Sequence, residues 1–112
     1  MITTHVLDTS IGRPAAGVEV RLEHQMTDGS WHAVGSGQTD ADGRLRTLVP
    51  SSSRALAGTF RLTFETASYF ASRGVNSFFS RVVIEFVVRE AGAHHHVPLL
   101  LSPFGYSTYR GS

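Results

Sequence analysis

Phe60-Arg61-Leu62-Thr63-Phe64-Glu65 alternates apolar and polar side chains without a break. That two-residue period belongs to a β-strand with one face turned to a core. The same period recurs upstream, where Val18, Val20 and Leu22 alternate with Glu19, Arg21 and Glu23. It recurs downstream, where Val82, Ile84, Phe86 and Val88 form one face of a third run and Val83, Glu85 and Val87 the other. The valines on that second face predict partial cover, for instance by another subunit.

Turn residues separate these runs. Gly12-Arg13-Pro14 closes a first strand near Thr3 to Asp8, and Asp28-Gly29 precedes a strand from about Trp31 to Gln38. Asp40-Ala41-Asp42-Gly43 is a tight acidic turn before a short strand at Arg44 to Leu48. Pro50-Ser51-Ser52-Ser53 is a loop, and Gly92 leads into a strand opening on His94-His95-His96. Pro103 and Gly105 turn the chain into its last strand. One segment departs from the period. Ala67, Phe70 and Ala71 stand at i, i+3 and i+4, with Thr66 or Ser68 placed to cap the start and Gly74 where a left-handed C′ residue belongs. About eight short strands, regular turns and one short helix indicate a β-sandwich.

The 112 residues fit a single domain, 1–112, large enough for one core without staples. Cysteine is absent, which excludes disulfides, a thiol nucleophile and a thiolate metal site. All ten basic residues are arginine, which excludes lysine Schiff-base chemistry. A net charge of +1 carries no signature of nucleic acid or an anionic membrane. No apolar run is long enough to span a bilayer. Met1-Ile2-Thr3-Thr4-His5 lacks the regions of a secretory signal, so the expected location is cytoplasmic.

Residues suited to chemistry are few. His5 lies within the first strand, where an imidazole is either half-buried and hydrogen-bonded or available for proton transfer. Alternation places His94 and His96 on one face and His95 on the other. Such a pair suits metal ligation, general acid–base work or a solvated strand entry, and spacing alone does not choose. No carboxylate or cysteine nearby completes a metal set. Arg44 follows the Asp42-Gly43 turn, either solvated or presenting its rigid fork of donors to a planar anion. Asp8, Asp40 and Asp42 sit where aspartate commonly serves the backbone. Trp31 and the phenylalanines belong to core or interface by default. Neither a Gly-x-Ser-x-Gly elbow nor a phosphate-cradling glycine loop occurs.

Together these residues resemble the transthyretin-like 5-hydroxyisourate hydrolases. Thr4-His5-Val6-Leu7-Asp8 with Gly12-Arg13-Pro14-Ala15 is similar to that family's opening signature. Thr39-Asp40-Ala41-Asp42-Gly43-Arg44 is similar to its T-D-x-D-G-R turn. His94-His95-His96-Val97-Pro98-Leu99-Leu100-Leu101-Ser102-Pro103 resembles H-Y-H-V-P-L-L-L-S-P, and Tyr106-Ser107-Thr108-Tyr109-Arg110-Gly111-Ser112 resembles Y-S-T-Y-R-G-S. The likeness runs through essentially the whole chain. It implies an all-β, transthyretin-like (prealbumin-like) sandwich of eight strands in two sheets with one short helix. It also implies a homotetramer with sites between subunits.

The implied reaction belongs to purine catabolism and needs no cofactor or metal. Water attacks the lactam carbonyl of 5-hydroxyisourate to give 2-oxo-4-hydroxy-4-carboxy-5-ureidoimidazoline. Carried onto this sequence, the catalytic set is His5, Arg44, His94 and Ser112. Substrate contacts fall to His5, Arg44, His96, Tyr109, Arg110 and Gly111. On that basis Arg44 holds substrate oxygens, and His5 and His94 share water activation and proton delivery. Tyr109 bonds the ring, and Ser112 fixes the water or a histidine through its hydroxyl or carboxylate. The sequence departs from the family pattern at His95, commonly aromatic, and at Ser80-Arg81, where proline and glutamate are frequent. The alternative is a binding protein of the transthyretin kind, which keeps the fold without this set of side chains.

Overall fold

A computed structural model describes residues 1–112. The elements run β1 (Ile2–Asp8), β2 (Arg13–Pro14), β3 (Glu19–Gln25), β4 (Trp31–Gln38), β5 (Arg44–Leu45), β6 (Gly58–Phe64), α1 (Thr66–Ser72), β7 (Val82–Val88), β8 (His95–Ser102) and β9 (Gly105–Thr108). They form two sheets. One has the order β2-β1-β8-β9 with β5 also paired to β1, and the other the order β4-β3-β6-β7. β1 and β8 run parallel while the other pairings are antiparallel.

The alternation read in the sequence places the core. Val20 and Leu22 of β3, Phe60, Leu62 and Phe64 of β6, and Val82, Ile84 and Val88 of β7 are buried from one sheet. Ile2 and Val6 of β1 and Val97, Leu99 and Leu101 of β8 meet them from the other. Each fully buried side chain of this kind contributes about 1.5–3 kcal/mol of transfer free energy. The opposite faces of β1 and β8 carry His5, Leu7, His96 and Leu100, all half-buried, and present them outward.

The sequence reading differs from the structure in local detail. The strands number nine, because Arg13–Pro14, read as a turn, returns to pair with Leu7 and Asp8. The strand expected over Arg44 to Leu48 ends at Leu45. Beyond it the chain leaves the sheet and buries Leu48, whose carbonyl presses where a Cβ on Gly35 of β4 would stand. The helix lacks the expected Thr66 or Ser68 cap: Glu65 holds the N-cap position without a side-chain cap bond, and its carboxylate instead pairs with Arg21 at 2.8 Å and Arg81 at 3.4 Å. Gly74 is the C′ residue, at φ +69°, with the Gly74 amide donating to Ala71 and the Val75 amide to Phe70. Val83 and Val87 are 46% and 49% exposed in the single chain. No helix is long and apolar enough to cross a membrane.

Candidate active site

The acidic turn is a device for presenting Arg44. Asp40 Oδ1 accepts the amides of Asp42 at 2.9 Å and Arg44 at 3.0 Å, and the Gly43 amide donates to the Asp40 carbonyl at 2.9 Å. These amide bonds, that of Arg44 foremost, hold the Asp40 carboxyl below its usual range. Gly43 sits at φ +75° and its carbonyl accepts the Val6 amide at 2.8 Å. A side chain there would run into the Val6 carbonyl oxygen, so only glycine fits. Thr39, 4% exposed, anchors the turn from below by donating to the Ala15 carbonyl at 2.6 Å and accepting the Val18 amide at 2.9 Å. Thr39, Asp40 and Gly43 are therefore backbone devices, and Arg44 is the side chain they deliver.

Arg44 is delivered opposite His5. The two are register partners across β1 and β5, and His5 is also the partner of Pro98 across β1 and β8. His96 pairs with Thr3 two residues earlier on β1, so His5 and His96 share the outward face. Both imidazoles are driven below their ordinary value, first by burial and then by the Arg44 charge. For His96 the charges of His5, His94 and Arg46 add to this. For His5 the Asp42 backbone and the Asp40 and Asp42 carboxylates pull the other way. The face thus holds two predominantly neutral imidazoles beside a guanidinium at neutral pH, a base-competent and anion-attracting combination.

His94 lies just outside β8, exposed, and reaches this group through a hydroxyl. Thr3 Oγ1 is 2.9 Å from His94 Nε2 and 2.8 Å from His96 Nδ1. The two rings stand 6.4 Å apart between centroids. His95 turns inward as alternation requires; it is 6% exposed, and its Nδ1 donates to the Ala93 carbonyl at 3.0 Å.

The chain end is tied to the same strand. The Gly111 amide donates to the His96 carbonyl at 2.8 Å. A Cβ on Gly111 would come within 2.6 Å of His96 Cδ2 and 3.3 Å of Pro98 Cγ, so the backbone lies directly on the imidazole. Tyr109 and Arg110 instead line a cavity of about 290 Å³ with Ile84, Phe86, Val87 and His95. Ser112 follows, exposed. The structure therefore gathers His5, Arg44, His96 and Gly111, sets His94 one hydroxyl away, and turns Tyr109 and Arg110 of this copy to a separate cavity.

Two participants escaped the sequence reading. Thr3 shares the His5 face by alternation, which was the available signal, and Arg46 adds charge near His96. A second cavity of about 450 Å³, lined by Ile2, Val34, Phe60 and His95 among others, lies at another part of the sandwich and includes none of His5, Arg44 or His96. No group of three or more histidine, aspartate or glutamate side chains is arranged to hold a metal ion.

Comparisons with known proteins identify the family and the fold. The family model described as HIUase/Transthyretin matches residues 2–111. A protein of Salmonella typhimurium named 5-hydroxyisourate hydrolase is 46% identical over 112 residues, spanning 100% of this chain and 81% of that protein. The solved 5-hydroxyisourate hydrolase of Klebsiella pneumoniae superposes with a TM-score of 0.84 at 40% identity, covering 99% of this chain and 98% of that one. Sea bream transthyretin in complex with thyroxine superposes with a TM-score of 0.91 at 31% identity, covering 98% and 93%. Backbone likeness alone thus does not separate hydrolase from carrier, and the side chains on the open sheet face have to.

Proposed function

The chain belongs to the HIUase/transthyretin family, and from that premise we propose that it hydrolyses 5-hydroxyisourate in urate catabolism on the outward face of the β2-β1-β8-β9 sheet. The observation that carries this reading is the convergence of His5, Arg44 and His96, fixed by strand register rather than by loops. The substrate is planar, rich in oxygens and readily ionised. Arg44 presents paired donors to those oxygens and stabilises charge as it builds on the carbonyl. A neutral imidazole of the His5–His96 pair takes a proton from water as the new carbon–oxygen bond forms. The carbon–nitrogen bond then breaks, and the imidazolium returns that proton to the departing lactam nitrogen.

Within this reading the partner of His5 is His96 rather than His94, because strand register sets His5 and His96 on the outward face. Its ring carries the burial and the Arg44 and His5 influence that tune it, whereas His94 is exposed and connected through Thr3. Gly111 lies against the His96 ring and limits its movement.

In this reading a homotetramer completes the site. A single copy leaves the catalytic face open, without the walls that exclude water and strengthen electrostatic interactions. Leu7 and Leu100 are half-buried on that face. Elsewhere Phe78 and Phe104 are 73% and 72% exposed, and β7 and β9 are unpaired sheet edges. Exposed apolar side chains and open sheet edges of this kind support contacts with further copies of the chain.

The deciding experiment follows ultraviolet absorbance as urate oxidase generates the substrate in the cuvette. Wild-type protein should speed the decay, and His96→Ala and His5→Ala should each lower kcat by about 10²–10⁴-fold, the usual contribution of a positioned acid–base group. Decay at the uncatalysed rate with wild-type protein would put a binding role ahead of catalysis.

A further inference from the structure

Thr3 is 4% exposed and its hydroxyl stands between two imidazoles. A hydroxyl has one proton to donate and two lone pairs to accept. With neutral rings it therefore donates to one ring and accepts from the other. If it donates to His96 Nδ1, the His96 proton is on Nε2, and His94 Nε2–H is the donor to Thr3. If it donates to His94 Nε2, His96 carries its proton on Nδ1 and keeps a free lone pair on Nε2. His96 Nε2 has no partner in the chain and is not among the buried unpartnered atoms, so it is the nitrogen left open to a ligand.

We propose that Thr3 is a positioning residue that couples the tautomer of His96 to the protonation of His94 and passes protons between them. This rests on the reading of His96 as an acid–base group. When His94 is neutral with its proton on Nδ1, Thr3 donates to it and His96 is held in its base form. When His96 takes a proton at Nε2, its Nδ1 proton moves to Thr3 Oγ1, and the former hydroxyl proton moves to His94 Nε2. The outcome is a neutral His96, a restored hydroxyl and a charged His94. When the departing nitrogen takes the His96 Nε2 proton, the same two shifts run in reverse and His94 becomes neutral again; being exposed, His94 also exchanges protons with water. A charged His94 must donate to Thr3, so the hydroxyl turns to His96 Nδ1 and His96 holds its proton on Nε2, as a donor. The groups that set the balance around His96 are His5 and Arg44 from β1 and β5, together with Arg46 and His94. Charge on any of them disfavours charge retained on His96, and His94 is the one with a hydrogen-bonded route out.

The test compares wild type with Thr3→Val, which keeps the shape and removes the hydroxyl, and Thr3→Ser, which keeps the hydroxyl. Ring ¹⁵N shifts of His96 are followed through the pH titration of His94, alongside kcat and KM. The wild type should show the His96 tautomer changing as His94 gains its proton, and Thr3→Val should abolish that response. Thr3→Val should lower kcat about 10–100-fold with KM nearly unchanged, by analogy with metal-bound histidines that lose the partner orienting their ring. Thr3→Ser should restore both readouts. The nuclear magnetic resonance readout stands even if the protein hydrolyses nothing, which separates failure of the coupling from failure of the hydrolase reading. A His96 tautomer indifferent to His94 in the wild type, or wild-type kcat in folded Thr3→Val, overturns the proposal.

Discussion

Gly111 and His96 are bonded backbone to backbone at 2.8 Å, and the glycine lies so close to the imidazole that a single added carbon would stand 2.6 Å from Cδ2. The ring is held on its other side by Thr3 through Nδ1. Gly111→Ala must therefore displace the ring or detach the chain end. We expect kcat/KM to fall at least about tenfold, since small misplacements of reacting groups cost that much or more. The affected segment is peripheral to the core, so Tm should move by less than about 5 °C, the shift that accompanies roughly 1 kcal/mol in a domain of this size. Thermal melts with the coupled assay check this; full activity in Gly111→Ala would show that the contact does not constrain catalysis.

Arg44 lowers the affinity of both His5 and His96 for protons, second only to burial. Because the neutral imidazole is the base, activity should fall on acidification through pKa values below the ordinary 6.5. Arg44→Gln removes the repulsion, so both histidines should titrate at higher pH and the acid limb should move upward. The same depressed values have a stability consequence. The unfolded chain binds more protons than the folded one below 6.5, so the contribution is fully present above that pH and is lost as pH falls through the folded values. Proton titration of the imidazole C2–H signals in wild type and Arg44→Gln decides it; unmoved signals would remove Arg44 as a tuning charge.

The sandwich was legible because binary alternation in β3, β6 and β7 coincides with the buried sets those strands supply. Arg13–Pro14 was not legible as a strand, since proline with a neighbouring glycine reads as a turn and only the return to Leu7 and Asp8 makes it a ladder. Leu48 looked like strand continuation because its burial is apolar, yet it is reached by leaving the sheet. The individual site residues were visible, but their convergence came only through the resemblance. His5 opposite Arg44 is a long-range register, which local pattern does not encode. Thr3 carries no chemical signal in the sequence because threonine is an ordinary strand residue, and its role exists only once β8 brings two imidazoles beside it.

Tyr69 and Asp8 tie α1 to the end of β1. The phenol donates to Asp8 Oδ2 at 2.8 Å inside the core, and the Asp8 carboxylate also accepts from the Ser10 amide at 3.0 Å. Asp8 is 1% exposed. Tyr69→Phe leaves a buried acceptor short of a partner and should cost about 1.5–3 kcal/mol, the range for a hydrogen bond to a charged group. Burial, then the Asp8 bond and charge, push the Tyr69 phenol from 10.0 up to about 12. The folded state therefore keeps this proton longer than the unfolded state, so the contribution is complete below pH 10 and is lost as pH rises through about 12. Alkaline unfolding curves should converge for wild type and Tyr69→Phe at the top of that window; a constant gap across it would argue against the assignment.

Val83 and Val87 offer the sharpest test of assembly. They project from the outer face of β7, flank exposed Glu85, and remain about half-exposed in a single copy. Their alternate neighbours Val82, Ile84 and Val88 fill the core, so acidic residues at positions 83 and 87 leave the core faces untouched. Burying either valine's side chain against another copy would contribute about 1–2 kcal/mol, and replacing both by glutamate would set like charges beside Glu85 and its counterpart. The Val83→Glu/Val87→Glu variant should therefore keep its far-ultraviolet circular dichroism and sediment as a smaller species than wild type. If the site is completed between copies, its specific activity should fall in proportion to dissociation and recover as protein concentration is raised. A dissociated variant with full specific activity would locate the entire site within one chain.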